Sequence, residues 1–379
     1  MITATHRHAQ LIIDRQAIYD NVQNEIKRLK KGTDLFAVIK ADAYGHGLLE
    51  VAKITKQAGA KGFCVALLDE ALALRQAGFE EPILVLGVTD PDQTPIAANH
   101  HISVAAPSLA WLQQATPFLN KDAQTPLRIH YAIDSGMGRI GMRDISELQA
   151  AVKLVREQRD AFEVEGIFTH FATADDPNPA YFNKQVAKWQ EILASLDEKP
   201  RYVHVSNSAT SLWHAKCNGN MIRFGLAIYG LNPSGRAISS LPYPLKPAMS
   251  LTSELTFCKQ IHAGDSVGYG ATYTAKGDEW IGTVPIGYAD GWRRDLQGFK
   301  VLVDGQYCEI VGRICMDQLM IKLPHEYPTG TTVVFIGRSG MHEITAQDVA
   351  EYEHTINYEV VSDFMPRLPR VYVGLENQQ

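Results

Sequence analysis

The sequence has few of the features that mark secreted, membrane-spanning or zinc-binding proteins. Its 379 residues include five cysteines, which are widely spaced and form no Cys-x-x-Cys pair. This pattern argues against a disulfide framework or a structural zinc site and favours a reducing cytosol. No window approaches the ~18 uninterrupted apolar residues of a membrane span. The stretch MITATHRHAQLIID has no apolar core of signal-peptide length.

Positive charge is also scarce. The chain has 36 basic and 42 acidic residues, a net charge of −6, so it lacks the basic surface of a nucleic-acid-binding domain and a polybasic tail for anionic lipid. We therefore expect a cytoplasmic protein without a metal, membrane or nucleic-acid partner. The 45% hydrophobic and 21% charged residues are typical of a globular chain, and at roughly 150 residues per domain the length suggests two domains.

Alternation of apolar runs and amphipathic stretches dominates the first 230 residues. A helix is predicted after Asp14, with Ile18, Val22 and Ile26 on its apolar face. Helices are also predicted over Asp69–Ala77 and Ser146–Gln158. Eight apolar runs have the length of buried parallel strands: Leu35–Ile39, Phe63–Leu67, Ile83–Leu86, Ile102–Ala105, Leu127–Ile133, Val164–Phe168, Tyr202–Val205 and Met221–Phe224.

This count and length predict the α/β class, as a (β/α)₈ TIM barrel. A doubly wound open sheet is the alternative, but it usually has fewer strands and a glycine-rich phosphate turn after the first. Here the first predicted strand leads instead into Lys-Ala-Asp-Ala-Tyr-Gly-His-Gly.

The pattern changes near residue 243. From about Leu251 the segments alternate polar and apolar residues, and Asp304-Gly305 between β-branched residues is a strong hairpin signal. We therefore predict a barrel domain over residues 1–243 and a mostly-β C-terminal domain over residues 244–379, joined through the proline-rich stretch Leu241–Pro247.

Residues able to do chemistry follow the predicted strands, where a barrel places its active site. Lys40 ends the first strand. A poorly hydrated pocket lowers the pKa of a lysine, and its amine then becomes a nucleophile suited to Schiff-base chemistry. Arg139 and His170 follow later strands, and Arg223 lies in the eighth. Each residue also has a purely structural interpretation. The lysine could extend into solvent, Arg139 could form an ion pair in its loop, Arg223 could form an internal ion pair, and the histidine could simply pack against its neighbours. Ser206–Ser208 could cap the next helix, bind phosphate, or do both.

Seven motifs taken together are more specific than any of these positions. In chain order they are VIKADAYGHG at 38–47, DSGMGRIG at 134–141, HVSNSAT at 204–210, MIRFGLAIYG at 221–230, VGYGATYTA at 267–275, GYADGWRR at 287–294 and ICMDQLM at 314–320. Over nearly its full length the chain resembles bacterial alanine racemase, an enzyme that uses pyridoxal phosphate.

The resemblance implies a homodimer in which each active site is shared between two subunits. Lys40 is the expected catalytic lysine that holds the cofactor, and Tyr269 from the partner is the expected second base. Two bases on opposite faces of the cofactor would interconvert L-alanine and D-alanine. His170 and Arg223 would support the tyrosine, and Arg223 would also face the pyridine nitrogen, where most pyridoxal enzymes place a carboxylate.

The resemblance also assigns ligands for the cofactor and the substrate. The groups expected to contact the cofactor, besides Lys40, His170 and Arg223, are Tyr44, Asn207, Ser208, Gly225, Leu226 and Tyr358. Arg139 and the partner's Met316 backbone would hold the substrate carboxylate, and Tyr288 would narrow the entrance. His46 and His204 are assigned structural roles.

One position departs from the family pattern. Many members carry a carbamylated lysine two residues before the aspartate of DSGMGRIG, oriented toward the substrate-binding arginine, whereas this chain has Ala132. We hypothesise that another acid or a bound anion such as chloride supports Arg139 instead.

Other functions are compatible with parts of the sequence. A catalytically silent pyridoxal-phosphate-binding barrel would end near the last barrel strand, whereas this chain continues through Tyr269. A related decarboxylase of basic amino acids would prefer a carboxylate where this chain has Arg223. A racemase of serine or of broad specificity stays open. A role in supplying D-alanine for peptidoglycan is implied by the family alone.

Overall fold

The computed structural model describes residues 2–375, which divide into two compact units. The barrel unit comprises Ala17–Ala43 and Gly47–Lys246. The β unit combines the residues before Ala17, the short segment Tyr44–His46 and the residues after Lys246. The first strand of the chain, β1 (Ala9–Asp14), lies in the β unit, and the next eight strands belong to the barrel unit.

The barrel unit contains one sheet of eight parallel strands in the order β8-β7-β6-β5-β4-β3-β2-β9. Their bounds are β2 Asp34–Val38, β3 Gly62–Val65, β4 Ile83–Val85, β5 Ser103–Ala106, β6 Leu127–Ala132, β7 Phe162–Phe168, β8 Tyr202–His204 and β9 Met221–Phe224. A parallel bridge between Ser206 and Ile222 brings the last two strands together. All eight predicted strands are present, and the (β/α)₈ barrel is confirmed.

Helices separate these strands, as the amphipathic pattern predicts. They are α1 Arg15–Arg28, α2 Leu48–Gln57, α3 Leu68–Gln76, α4 Thr94–Asn99, α5 Leu109–Asp122, α6 Ile145–Glu157, α7 Ala180–Ala194 and α8 Ser208–Trp213. Ile18 and Val22 of α1 are fully buried, as expected for its apolar face. The predicted helices at Asp69 and Ser146 each begin one residue earlier than expected.

The β unit is built mainly from antiparallel strands. They are β10 Met249–Glu254, β11 Phe257–Ile261, β12 Ser266–Val267, β13 Tyr273–Thr274, β14 Glu279–Val284, β15 Lys300–Val303, β16 Gln306–Val311, β17 Leu319–Leu323, β18 Thr332–Ser339, β19 His342–Ile344 and β20 Arg370–Val373. Two helices, α9 Ala346–Tyr352 and α10 Asn357–Ser362, lie between β19 and β20. The mostly-β character predicted for this region is confirmed.

One strand of the β unit is missing from the sequence prediction. The sequence pattern places nothing before the first helix, yet β1 pairs antiparallel with β10 and parallel with β20. Ala9, Leu11 and Ile13 are fully buried, so one face of this strand belongs to the core of the β unit. Its partners lie more than 230 residues away in the sequence, so no local pattern reveals the pairing.

The Asp304-Gly305 hairpin forms as predicted. It joins β15 to β16, with Val303 paired to Gln306. Asp304 has φ 47° and Gly305 has φ 74°, the left-handed conformations of a type I′ turn. Within residues 2–375 the helices are all too short or too polar to span a membrane.

Candidate active site

A left-handed turn follows the first barrel strand and begins directly after Lys40. Four consecutive non-glycine residues, 41–44, have φ between 52° and 54°. Such a conformation costs an L-residue roughly 1–2 kcal/mol, so the surroundings must hold it. Glu70 Oε1 accepts a 2.6 Å hydrogen bond from the Ala41 N–H, and Asp42 Oδ1 accepts one of 2.8 Å from the Leu48 N–H. The turn therefore fixes the backbone beside Lys40.

Glu70 is a site residue that the sequence prediction missed. It is the third residue of α3, and its Oε2 also accepts hydrogen bonds from the N–H groups of Ala66 (2.8 Å) and Leu67 (3.1 Å). The N-cap of this helix is Leu67, whose side chain cannot accept a hydrogen bond, so the sequence shows only the acidic half of a capping box. The same carboxylate thus caps a helix and holds the turn after Lys40.

The Lys40 amine is partly buried and lies near a positively charged side chain. Burial lowers the pKa of Lys40, the nearby Arg139 guanidinium lowers it further, and the Glu70 carboxylate opposes both. A neutral amine is the nucleophilic form of lysine. Lys40 is therefore suited to attack a carbonyl carbon nearer to neutral pH than a surface lysine would be.

Arg223 is buried in β9 and is held by the barrel backbone. Its Nη2 donates hydrogen bonds to the carbonyl oxygens of Thr169 (2.9 Å) and Val205 (3.3 Å). Its guanidinium lies 5.3 Å from the centre of the Phe168 ring. Burial lowers the pKa of Arg223 to about 10, so the group still carries a positive charge at neutral pH.

His170 lies among three cationic side chains. Burial, with the charges of Arg223, Arg139 and Lys40, lowers the pKa of His170 to about 3, so its imidazole is neutral at physiological pH. Asn207 Nδ2 lies 3.3 Å from His170 Nε2, and Arg223 Nη2 lies 3.5 Å from its Nδ1. The structure thus brings together five of the residues that the sequence predicts for the site.

The loops after β8 and β9 contain a second group of predicted site residues. Ser208 Oγ accepts a 2.9 Å hydrogen bond from the Gly225 N–H and a 3.4 Å one from the Ala227 N–H. Asn207 is the N-cap of α8, because its Oδ1 accepts from the Thr210 N–H at 2.9 Å. Of the two duties left open for 206–208, capping is therefore observed, and it falls to Asn207.

Arg139 lies in a loop organised by Asp134. Asp134 Oδ1 accepts hydrogen bonds of 2.9 Å from the N–H groups of Gly136 and Gly138. Within residues 2–375 no carboxylate forms an ion pair with Arg139. Ala132 is buried in a small apolar cluster with Ala105 and Phe168. The acid half of our hypothesis for Arg139 thus finds no support here, and the anion half stays a prediction.

Tyr269 and Met316, predicted to reach a partner's active site, and Tyr288, predicted to narrow the entrance, occupy one region of the β unit. The N–H groups of Tyr288 and Ala289 donate to the carbonyl oxygens of Cys315 (3.1 Å) and Met316 (3.0 Å), so these two loops are joined. The turn of Tyr269 packs against Arg313, three residues before Met316. Tyr269 is 71% exposed, Met316 52% and Tyr288 41%.

The β unit also contains the remaining two tyrosines of the predicted site. The rings of Tyr44 and Tyr358 lie with their centres 6.3 Å apart. Gly45 between the left-handed turn and His46 has φ 78°, and a β-carbon there would lie 2.2 Å from the Val361 carbonyl oxygen. Only glycine fits this close approach of residue 45 to α10.

The chain matches known families along nearly its whole length. The family model "Alanine racemase, N-terminal domain" matches residues 13–233 and "Alanine racemase, C-terminal domain" matches residues 248–372. An alanine racemase of Lacticaseibacillus casei is 61% identical over 99% of both chains.

Solved structures show the same similarity. An alanine racemase from E. faecalis superimposes with a TM-score of 0.96 at 53% identity, over 98% of this chain and 100% of that one. A histidine racemase from Leuconostoc mesenteroides subsp. sake gives a TM-score of 0.90 at 36% identity, over 98% and 100%.

Both family models match in tandem, and the partly buried Lys40 follows the first barrel strand. The chain therefore belongs to the alanine racemase family, whose members are amino-acid racemases dependent on pyridoxal phosphate.

Proposed function

We propose that the protein interconverts L-alanine and D-alanine and that Lys40 and Tyr269 are its two bases. The observation that carries the proposal is the cluster of Lys40, Arg139 and His170 at the strand ends of the barrel unit. There the Arg139 charge lowers the pKa of Lys40, and Arg139 and Lys40 both lower the pKa of His170. A lysine of lowered pKa beside a cationic side chain suits both covalent cofactor binding and binding of a substrate carboxylate.

The residues present fit pyridoxal phosphate. Lys40 would hold its aldehyde carbon, and Arg223 would face the pyridine nitrogen, together with His170 and Asn207 beside the ring. Ser208, the backbone at Gly225 and Leu226, and the two tyrosines Tyr44 and Tyr358 would hold the phosphate. When bound, the cofactor supplies an electron sink that acidifies the substrate α-hydrogen.

Arg223 gives this site a particular electronic character. A guanidinium with a pKa of about 10 stays charged at neutral pH and cannot accept a hydrogen bond from a protonated pyridine nitrogen. The ring nitrogen would therefore stay unprotonated, which makes the electron sink weaker and favours prompt return of the proton over side reactions.

Racemisation requires removal of a proton on one face and its return on the other. Lys40 Nζ would move the proton on its own face. Tyr269 of a second copy would act on the opposite face, with its hydroxyl supported by the neutral His170. The exposure of Tyr269, 71%, supports a role outside its own subunit. We thus assign most cofactor contacts to the predicted domain of residues 1–243, and the second base, the gate and the Tyr358 contact to the predicted domain of residues 244–379.

Arg139 and the partner's Met316 backbone would hold the substrate carboxylate, and Tyr288 would limit side-chain size. A histidine racemase at 36% identity shares this fold, so the family also contains an enzyme named for a larger substrate. A broad-specificity or serine racemase is therefore the second candidate. Rates measured on L-alanine, L-serine and L-histidine, with and without added pyridoxal phosphate, distinguish the two; equal rates on all three would refute the alanine assignment.

Mixing two inactive variants tests the shared site. Lys40→Ala and Tyr269→Ala each remove one base, and a heterodimer of the two contains one intact site. After subunit exchange, we expect recovery of about one quarter of the normal activity, since half the dimers are mixed and each has one working site. Absence of recovery in verified heterodimers would overturn the proposal. A role in supplying D-alanine for peptidoglycan in the cytoplasm follows from the same assignment.

A further inference from the structure

A continuous chain of buried polar side chains runs from Arg223 through the interior of the barrel unit. Arg223 Nη1 lies 2.5 Å from His204 Nδ1, and His204 Nε2 lies 2.8 Å from His130 Nδ1. His130 Nε2 lies 3.1 Å from Glu165 Oε2, which also accepts a 2.5 Å hydrogen bond from the Ser103 hydroxyl. None of these five residues is more than 7% exposed.

The hydrogen bonds that link these buried side chains can run in one direction only, from Arg223 towards Glu165. A guanidinium can only donate, so His204 must accept at Nδ1 and carry its proton at Nε2. His204 then donates to His130 Nδ1, and His130 carries its proton at Nε2 and donates to the carboxylate. Both imidazoles are therefore neutral and share the same tautomer, between a cation at one end and an anion at the other.

The charge states agree with this direction. Burial and the Arg223 charge lower the pKa of both histidines, which keeps them neutral. Hydrogen bonds from His130 and Ser103 outweigh the burial of Glu165 and lower its pKa to about 2, which keeps it ionised. Within residues 2–375 no carboxylate forms a direct ion pair with Arg223. The hydrogen-bonded path from Arg223 through the two imidazoles ends at the Glu165 carboxylate.

Two backbone features make room for this chain. The register of β6 against β7 shifts between Ile129 and His130, so that Ile129 pairs with Val164 and His130 with Gly166. Glu165 is the extra residue of this β-bulge, a device that re-aims a side chain. A β-carbon at Gly166 would lie 2.2 Å from His130 Nδ1, so glycine is needed opposite the imidazole.

We propose that Glu165, His130 and His204 form a one-way relay that orients Arg223 and delivers the compensating negative charge of Glu165 to its guanidinium. They are positioning residues, acting on the cofactor through Arg223. The inference rests on the proposed function in that Arg223 faces the pyridine nitrogen. The relay would let a cation face the ring while the carboxylate stays at a distance.

Nitrogen NMR of histidine side chains in the enzyme loaded with pyridoxal phosphate tests the relay directly. Two of the imidazoles, assigned by His130→Gln and His204→Gln, should carry their protons on Nε2 and should not titrate between about pH 5 and 8. A proton on Nδ1 of either ring, or titration of either in that range, would overturn the proposal. This measurement needs no variant of Glu165 to fold.

Glu165→Gln tests the link to the cofactor, with Glu163→Gln as its matched control on the same strand. Glu163 is exposed and pairs with Arg128 at 3.4 Å, outside the relay. We expect Glu165→Gln to shift the His130 nitrogen signals and the absorption maximum of the bound cofactor and to lower kcat about 10- to 100-fold, with KM little changed. The control should match the unaltered enzyme.

A relay that acts only on stability would lower the unfolding temperature of Glu165→Gln but leave the cofactor spectrum like that of the control. That result would overturn the proposal. Failure to racemise alanine in an unaltered enzyme that shows the expected tautomers would instead refute the proposed function and leave the relay standing.

Discussion

Glu70 links the stability of a helix terminus to the reactivity of Lys40, and Glu70→Gln separates the two effects. The carboxylate accepts three backbone N–H groups, from Ala41, Ala66 and Leu67, with its two oxygens. A glutamine side chain has the same shape but only one accepting oxygen. Whichever way the amide turns, at least one of the three N–H groups faces an NH₂ donor.

The expected loss of stability follows from that count. A hydrogen bond to a charged group contributes about 1.5–3 kcal/mol, and partial exposure of Glu70 places the loss near the lower end, at about 1–2 kcal/mol. For a unit of this size that corresponds to a fall in Tm of about 2–8 °C. Glutamine also removes the negative charge that raises the pKa of Lys40. The pKa of Lys40 should therefore fall further below its ordinary value.

Two measurements on the cofactor-free protein check these effects. Thermal unfolding gives the change in Tm, and the rate of covalent attachment of pyridoxal phosphate as a function of pH gives the ionisation of Lys40. Asp69→Asn is the matched control, since it makes the same charge change one residue away on the exposed side of α3.

We expect the pH midpoint of attachment to move down for Glu70→Gln and much less for Asp69→Asn. A midpoint that moves up, or equal falls in Tm for the two variants, would refute the assignment of Glu70 as the support for the turn after Lys40.

Four further outcomes follow from the site. Lys40→Ala should abolish the absorption band of the lysine-bound cofactor, and retention of that band at full intensity would refute the assignment. Tyr269→Ala should slow α-deuterium exchange from one alanine enantiomer far more than from the other; equal slowing would count against two bases. The pKa of His170 is about 3 in the native protein, whereas an unfolded histidine has a pKa of about 6.5. The unfolded chain therefore binds a proton that the native protein does not bind, so stability is lost as the pH falls. Between pH 6.5 and 5 this costs about 2 kcal/mol, measurable by urea unfolding, and His170→Gln should remove that part of the slope. Replacing chloride with a large organic anion should raise KM for alanine through Arg139, and an unchanged KM would exclude the anion hypothesis.

The barrel and several residues of the candidate site were predictable from the sequence because their signals are local. Buried parallel strands are continuous apolar runs, and the active site of a barrel follows their carboxyl ends. That rule selects Lys40 and His170 before any contact is known, whereas Arg223 lies within the eighth barrel strand itself. The hairpin at Asp304-Gly305 is local as well, because two residues specify its turn.

What sequence reasoning missed depends on long-range register. The first strand, Ala9–Asp14, is recognisable only once its partners at the other end of the chain are in place. His130 and Glu165 read as ordinary strand residues, and the single-residue shift that points Glu165 at His130 arises from pairing between two strands. His204, assigned a structural role, lies between Arg223 and His130, so its proposed function depends on neighbours from other strands.

The distance between Arg223 and its counter-charge has a physical rationale. A buried guanidinium without compensation costs several kcal/mol, and the usual remedy is a carboxylate in direct contact. A carboxylate there would also lie beside the ring and would stabilise a protonated pyridine nitrogen, reversing the effect that Arg223 would have on the cofactor. Two neutral imidazoles with a fixed direction resolve the conflict, because they pass the compensation along hydrogen bonds while Glu165 stays away from the ring. Glu165→Gln should therefore alter the cofactor spectrum even though two imidazoles separate Glu165 from Arg223.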